Sequence, residues 1–171
     1  MASSAGCGPR AAGYRDLRDR SPPRIQSPTM KFSVSEYVRW EDIDAAGIIN
    51  YQAYLRFFGL AEAELFRSCG LSYRALSDEH GVWLPRAHVE CDFFQPVTLD
   101  ELLVVEAFFG RLGASSIHLD FEVRRSAQPE PVVATGQYIL VTVGRDDFKP
   151  IPIPDAIREK LTPYASSNVS S

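Results

Sequence analysis

The hydrophobic period of this chain changes partway along it, and that change limits the possible folds more than any other feature. From Asn50, the residues Tyr51, Tyr54, Leu55, Phe58, Ala61, Leu65 and Phe66 recur at three- and four-residue intervals. That spacing predicts a helix of about five turns. It should stop at Cys69-Gly70, with Gly70 in the C′ position that favours a residue without a side chain. A shorter helix is expected over Ser72 to His80, closed by Gly81. Before the long helix, Phe32, Val34, Glu36 and Val38 alternate up to Trp40 as a first strand. After it come strand-like runs at Val82–Gln95, Leu102–Phe109, Ser115–Arg124 and Val132–Val143. Gly110 to Gly113 and Gln128-Pro129-Glu130-Pro131 read as turns, and a last helix is expected from Asp155 to about Leu161. Strands joined by hairpin-length turns form an antiparallel sheet, and one long helix is available to cover one face. The helix is apolar over more than half its circumference, so the sheet is expected to curl around it. The class is α+β.

Composition narrows the function. The chain has 171 residues, 45% hydrophobic and 23% charged, with a net charge of −4. That is an ordinary globular balance without the basic surface a general nucleic-acid binder needs. No apolar run, the one from Tyr138 to Val143 included, approaches the length of a membrane span. The three cysteines, Cys7, Cys69 and Cys91, are widely spaced, as in a protein of the reducing cytoplasm. Residues 1–29 hold five arginines against two aspartates, a net of +3, so the chain's −4 leaves −7 on the remainder. Rich in Ser, Gly, Pro and Arg and without periodicity, they are expected to form a disordered tail. They lack the apolar core of a secretory signal, and Met30 would serve as an alternative start. The domain is expected over 30–165, with 166–171 a flexible C-terminus.

Several catalytic signatures are missing: G-x-S-x-G, the phosphate-binding G-x-x-x-x-G-K-[ST], G-x-G-x-x-G and H-E-x-x-H. His80, His88 and His118 have no paired metal spacing. The dense spot is Glu41-Asp42-Ile43-Asp44, just ahead of Gly47 and the long helix. On the residues alone it has three readings. The simplest is a solvated turn whose aspartates cap the helix. The second is a divalent-metal D-x-D site. The third is a carboxylate at a pocket mouth, beside helix-terminal N–H groups that polarise a carbonyl.

The run Trp40-Glu41-Asp42-Ile43-Asp44-Ala45-Ala46-Gly47-Ile48-Ile49-Asn50-Tyr51-Gln52-Ala53-Tyr54 resembles the signature of hot-dog-fold acyl-CoA thioesterases. It is most similar to the 4-hydroxybenzoyl-CoA thioesterase branch, including the short-chain enzymes of the Tol–Pal gene neighbourhood. The likeness continues through Phe93-Phe94-Gln95-Pro96-Val97-Thr98-Leu99-Asp100-Glu101-Leu102, Gly113-Ala114-Ser115, Ala134-Thr135-Gly136 and Lys149-Pro150, spanning roughly 32–163. It implies hydrolysis of an acyl-CoA thioester with Asp44 as nucleophile or general base and the Tyr51 backbone N–H as oxyanion donor. Asp42 becomes an orienting residue, and Gly47 allows the backbone close to the thioester. Gly47, Asn50, Tyr54, Trp40, Trp83 and Ser115 become candidates for substrate binding. The resemblance also implies a homodimer or homotetramer with interfacial sites, and no cofactor, since coenzyme A belongs to the substrate. Two features depart from relatives: tyrosine stands at 51 where some have histidine, and Gly59 where many have an acid. Glu62 and Glu64 follow one turn on, with Glu64 a reserve catalytic candidate. The alternatives are an acyl-carrier-protein thioesterase, a hot-dog dehydratase, and a non-catalytic acyl-CoA-binding protein.

Overall fold

A computed structural model describes residues 30–126 and 132–166. The expected tail, Cys7, the Gln128–Pro131 turn and residues 167–171 lie outside these. Seven strands and three α-helices are found among the described residues: β1 (Phe32–Tyr37), α1 (Tyr51–Ser68), α2 (Tyr73–Asp78), β2 (Val82–Trp83), β3 (Arg86–Phe93), β4 (Leu102–Leu112), β5 (Ser116–Arg125), β6 (Val132–Val141), β7 (Val143–Gly144) and α3 (Asp155–Leu161). Five strands make one antiparallel sheet in the order β1-β4-β5-β6-β3, while β2 and β7 pair separately.

Helix α1 forms where its period predicts. Asn50 caps its start, the side chain accepting from Ala53 N–H at 3.1 Å. At the far end Gly70 adopts φ +69°. The Gly70 amide donates to Arg67 O and the Leu71 amide to Phe66 O, the paired bonds of a Schellman stop. The apolar side of α1 packs on one face of the sheet. The Phe58 ring stacks on Phe121 with centroids 4.5 Å apart, and Phe66 meets Phe109 edge-on at 5.6 Å. Phe57, Phe58, Ala61, Leu65 and Phe66 are fully buried, against Leu103, Val105, Ala107 and Phe109 of β4 and Leu119, Phe121 and Val123 of β5.

Four expectations are corrected. The predicted strand Val82–Gln95 is two strands, because Pro85 has no N–H for the ladder. The predicted strand Val132–Val143 breaks at Thr142, whose amide turns to Ser115 O, and the two detached ends pair as β2 and β7. Gly110 lies inside β4 and not in a turn. A Cβ there would stand 2.9 Å from Asp120 Cγ, so glycine makes room for that carboxylate and the strand runs on to Leu112. Finally, β3 and β4 are not a hairpin. β3 pairs only with β6 in the main sheet, and residues 94–101 cross the end of the sheet to reach β4 beside β1. Helix α2 also stops two residues early, at Asp78, with Gly81 at φ +65°. The packed region reaches Ser166, which is buried and donates its amide to Phe109 O.

Gly136 on β6 lies under the Phe58 ring. An added Cβ would stand 2.6 Å from Phe58 Cζ and 3.1 Å from Glu90 O, with no flexible neighbour to yield. Gly136→Ala is therefore expected to cost about 2 kcal/mol, lowering the melting temperature by about 4–8 °C. Thermal unfolding followed by circular dichroism measures this, and an unchanged melting temperature would show that Phe58 can move aside.

Candidate active site

The crossing segment 94–101 and the segment 38–50 run together at the end of the sheet, joined by Ile49 N–H to Val97 O at 2.9 Å and by Val38 N–H to Glu101 O at 2.9 Å. Between them a cleft of about 270 Å³ opens to solvent, just under the usual size of small-molecule sites. One wall is Asp44, Ile48, Asn50, Tyr51 and Tyr54; the other is Phe93, Phe94, Gln95 and Pro96.

The two aspartates of the D-x-D run have different surroundings. Asp42 is 3% exposed. Its Oδ2 accepts from Arg39 N–H at 2.8 Å, and the Arg56 guanidinium donates to both carboxylate oxygens. Its carbonyl oxygen receives the Asn50 amide and Asn50 Nδ2, each at 2.8 Å. Asp42 thus holds the entrance to α1. Asp44 sits at the tip of a small hairpin closed by the Ile43–Ile49 bridge, and it is exposed. Its amide donates to Ile48 O, its carbonyl accepts from Gly47 N–H, and Oδ1 accepts from Ala46 N–H at 2.7 Å. Oδ2 has no hydrogen-bond partner among the described residues. Gly47 turns the hairpin at φ +75°, and nothing lies within 4 Å of where a Cβ would be. Its backbone angle, not crowding, accounts for the glycine within this chain.

Asn50 also lines the cleft, but both ends of its amide are used, Oδ1 on Ala53 N–H and Nδ2 on Asp42 O. The amides of Tyr51 and Gln52, the first two of the 18-residue helix, have no partner among the described residues. Such groups carry the positive end of the helix dipole. Of these residues, Tyr51 lines the same cleft as Asp44. Tyr54 is 2% exposed and packs against Phe93 with ring centroids 5.1 Å apart.

Three candidates lie away from the cleft. Trp40, on a 3₁₀ turn, is 82% exposed; Trp83 belongs to β2; and Ser115 sits in the β4–β5 turn with its carbonyl bonded to Thr142 N–H. Glu64 pairs with Arg67 at the surface. Glu62 is the buried one, paired with Arg86 near Tyr73. Burial raises the pKa of Glu62, with Arg86 pulling against it, and burial likewise raises that of Tyr73. Neither lines the cleft. Among the described residues no three His, Cys, Asp or Glu side chains converge as metal ligands. Phe93, Phe94, Gln95 and Pro96 carry one local signal in the sequence, an aromatic pair ahead of a strand-ending proline.

The architecture is the hot-dog fold. A solved 4-hydroxybenzoyl-CoA thioesterase variant, in complex with 4-hydroxybenzoyl-CoA, superposes with a TM-score of 0.71 at 22% identity, over 77% of this chain and 98% of that one. The Slr0204 protein of Synechocystis, described as a 1,4-dihydroxy-2-naphthoyl-CoA thioesterase, gives 0.70 at 22% identity, covering 78% and 96%. Residues 38–161 match the thioesterase-like superfamily, and the chain belongs to it. Among its relatives, a 1,4-dihydroxy-2-naphthoyl-CoA hydrolase of Synechococcus elongatus is 26% identical over 131 residues, 76% of this chain and 94% of that protein. The acyl-CoA thioesterase YbgC of Haemophilus influenzae is 26% identical over 127 residues, 74% and 91% respectively.

The two aspartates should separate in stability measurements. Asp42→Ala strands Arg56 and the Arg39 amide, and is expected to cost about 3 kcal/mol, roughly 10 °C of melting temperature. Asp44→Asn should stay within about 0.5 kcal/mol of the parent. Urea unfolding of both variants would expose a reversed order.

Proposed function

We propose that this protein hydrolyses an acyl-CoA thioester to a carboxylic acid and free coenzyme A, with Asp44 as the reacting carboxylate. One observation carries the reading: Asp44, whose Oδ2 is unpartnered, shares a cleft with Tyr51, whose unpartnered amide begins α1. A thioester carbonyl placed between them meets a base or nucleophile on one side and hydrogen-bond donors on the other. Attack at the carbonyl carbon, by Asp44 or by water it deprotonates, pushes the π electrons onto oxygen. The Tyr51 N–H and the helix dipole stabilise that oxyanion, a donor worth about 3–4 kcal/mol in comparable sites. Collapse of the tetrahedral intermediate expels the coenzyme A thiolate. If Asp44 itself attacked, the mixed anhydride is then opened by water. No metal or organic cofactor enters, and Asp42 serves only by holding the helix entrance. The relatives named for CoA-thioester hydrolysis support this reading over carrier-protein hydrolysis, hydration or passive binding.

We further read the protein as a cytoplasmic homodimer or homotetramer. Among the described residues, no helix is long and apolar enough to cross a membrane. In the main sheet β3 is an edge strand with one side of its backbone unpaired, and Val89 on it is 45% exposed. An open edge of eight residues is an aggregation hazard that a second copy removes. Val89→Lys, which sets like charges near such a dyad, should shift the mass seen by light scattering toward the monomer. An unchanged mass would place the interface elsewhere.

The activity test is thiol release from acetyl-, hexanoyl-, palmitoyl-, benzoyl- and hydroxyphenylacetyl-CoA, with parent and Asp44→Asn compared at the same oligomeric state. At least one ester should be turned over by the parent, and the variant should lose about 100-fold or more. Activity surviving within about threefold would remove Asp44 from the mechanism.

A further inference from the structure

The second wall of the cleft contains a polar group that the chemistry above does not use. Gln95 sits among Phe93, Phe94 and Pro96, facing the cavity that Asp44 and Tyr51 line from the other side. Its amide orientation is fixed by its partner. Arg125 Nη1 lies 2.8 Å from Gln95 Oε1, and a guanidinium has only hydrogens to offer, so the atom facing it must be the oxygen. Arg125 is itself held, Nη2 donating to Pro96 O at 2.7 Å and Nε to Glu101. Glu101 accepts in turn from Thr98 N–H at 2.7 Å and from the Thr98 hydroxyl at 2.8 Å. Burial would raise the pKa of Glu101, but the bonds from Arg125 and Thr98 bring it below the usual carboxylate range, so the clamp is charged at neutral pH. With Oε1 committed, the two hydrogens on Gln95 Nε2 remain without a partner among the described residues.

We propose that Gln95 is a specificity-determining residue, its Nε2 amide donating to an acceptor oxygen, hydroxyl or keto, on the acyl group of the substrate. The inference rests on the cleft being the acyl site, as read above. Three observations favour this role. Asn50, the other amide on the cleft, is saturated by the helix cap and Asp42 O. The thioester carbonyl is matched by the α1 amides on the opposite wall, which leaves Gln95 facing the acyl part. Its surroundings are apolar, so an acyl group without an acceptor would cover Nε2 and leave its hydrogens unpaired, and a site of this kind discriminates by penalising the wrong ligand. The donor is neutral and the nearby guanidinium is consumed inside the clamp, so the chemistry suits an uncharged oxygen better than a carboxylate. Arg125 is the positioning residue, acting through Gln95.

The test compares kcat/KM for matched pairs of esters, hydroxybenzoyl- (2-, 3- and 4-isomers) against benzoyl-CoA and acetoacetyl- against butyryl-CoA. Parent, Gln95→Met and Gln95→Glu are each checked for the same melting temperature and oligomer. The parent is expected to favour the oxygenated member of at least one pair by about tenfold. Gln95→Met has similar length and no donors, and should bring that ratio to within about twofold of one. Gln95→Glu keeps an oxygen toward Arg125 but exchanges the donors for an acceptor, and should lose the acetoacetyl preference wherever the parent shows one. The proposal is overturned if the parent hydrolyses both members of every pair equally, or if its preference persists in Gln95→Met. A parent that hydrolyses the alkanoyl esters of the activity test but none of these pairs overturns this inference alone, whereas a parent that hydrolyses no ester of either set overturns the thioesterase reading, and this inference falls with it.

Discussion

The site depends on a single buried carboxylate. Asp42 lies away from water, which would be costly without compensation. The compensation comes from three places in the chain: the Arg39 amide before it, Arg56 one turn into α1, and Asn50, whose amide and side chain both bond the Asp42 carbonyl. These bonds tie the hairpin tip, the helix cap and the first turn of α1 into one unit. Asn50 cannot rotate to cap the helix differently without giving up Asp42 O, and Arg56 cannot leave without stranding a buried charge. The Tyr51 amide is therefore held in place beside the cleft, as the proposed stabilisation of a developing oxyanion requires.

Two aspartates separated by one residue thus do opposite work. Asp42 accepts five hydrogen bonds, three on its carboxylate and two on its carbonyl, and no carboxylate oxygen is without a partner, whereas Asp44 keeps one oxygen unpartnered on an exposed tip. Environment divides the roles, as it does in other carboxylate pairs. The same helix carries a second buried acid, Glu62, three turns on. Its charge is answered by Arg86 at the start of β3, so it ties the middle of α1 to the edge strand and stays out of the cleft.

Much of the fold was legible because the determinants of α1 are local. The period from Tyr51 to Phe66 and the stop at Gly70 behave as their chemistry dictates, whereas the cap is Asn50 and not the aspartates before it. What failed was mostly non-local. Pro85 is itself a local strand breaker, but the matching break at Thr142 lies in a run whose composition is continuous strand and comes from a distant partner, Ser115 O. The segment 94–101 has hairpin length but crosses the end of the sheet, because β4 finds its partners in β1 and β5 and β3 finds its own in β6. Of the site, the Asp44–Tyr51 half was readable from one contiguous run. Trp40 and Trp83 suggested a pocket because they are aromatic, but exposure is decided by neighbours that come from elsewhere in the chain.

The crossing segment explains why the cleft has two independent walls. The wall at 42–51 is fixed by Asp42, and the wall at 93–96 is fixed by Arg125, which reaches across from the end of β5. Backbone bonds, Ile49 N–H to Val97 O and Val38 N–H to Glu101 O among them, join the two segments without involving any side chain. Substitutions at 93–96 can therefore reshape what the cleft accepts while the Asp44 tip and the helix amides keep their geometry. On the proposed reading, substitutions around Asp42 would disturb the reacting wall whatever the acyl group. A fold that separated reaction from selection in this way could change its substrate through one short loop, with no change in its chemistry.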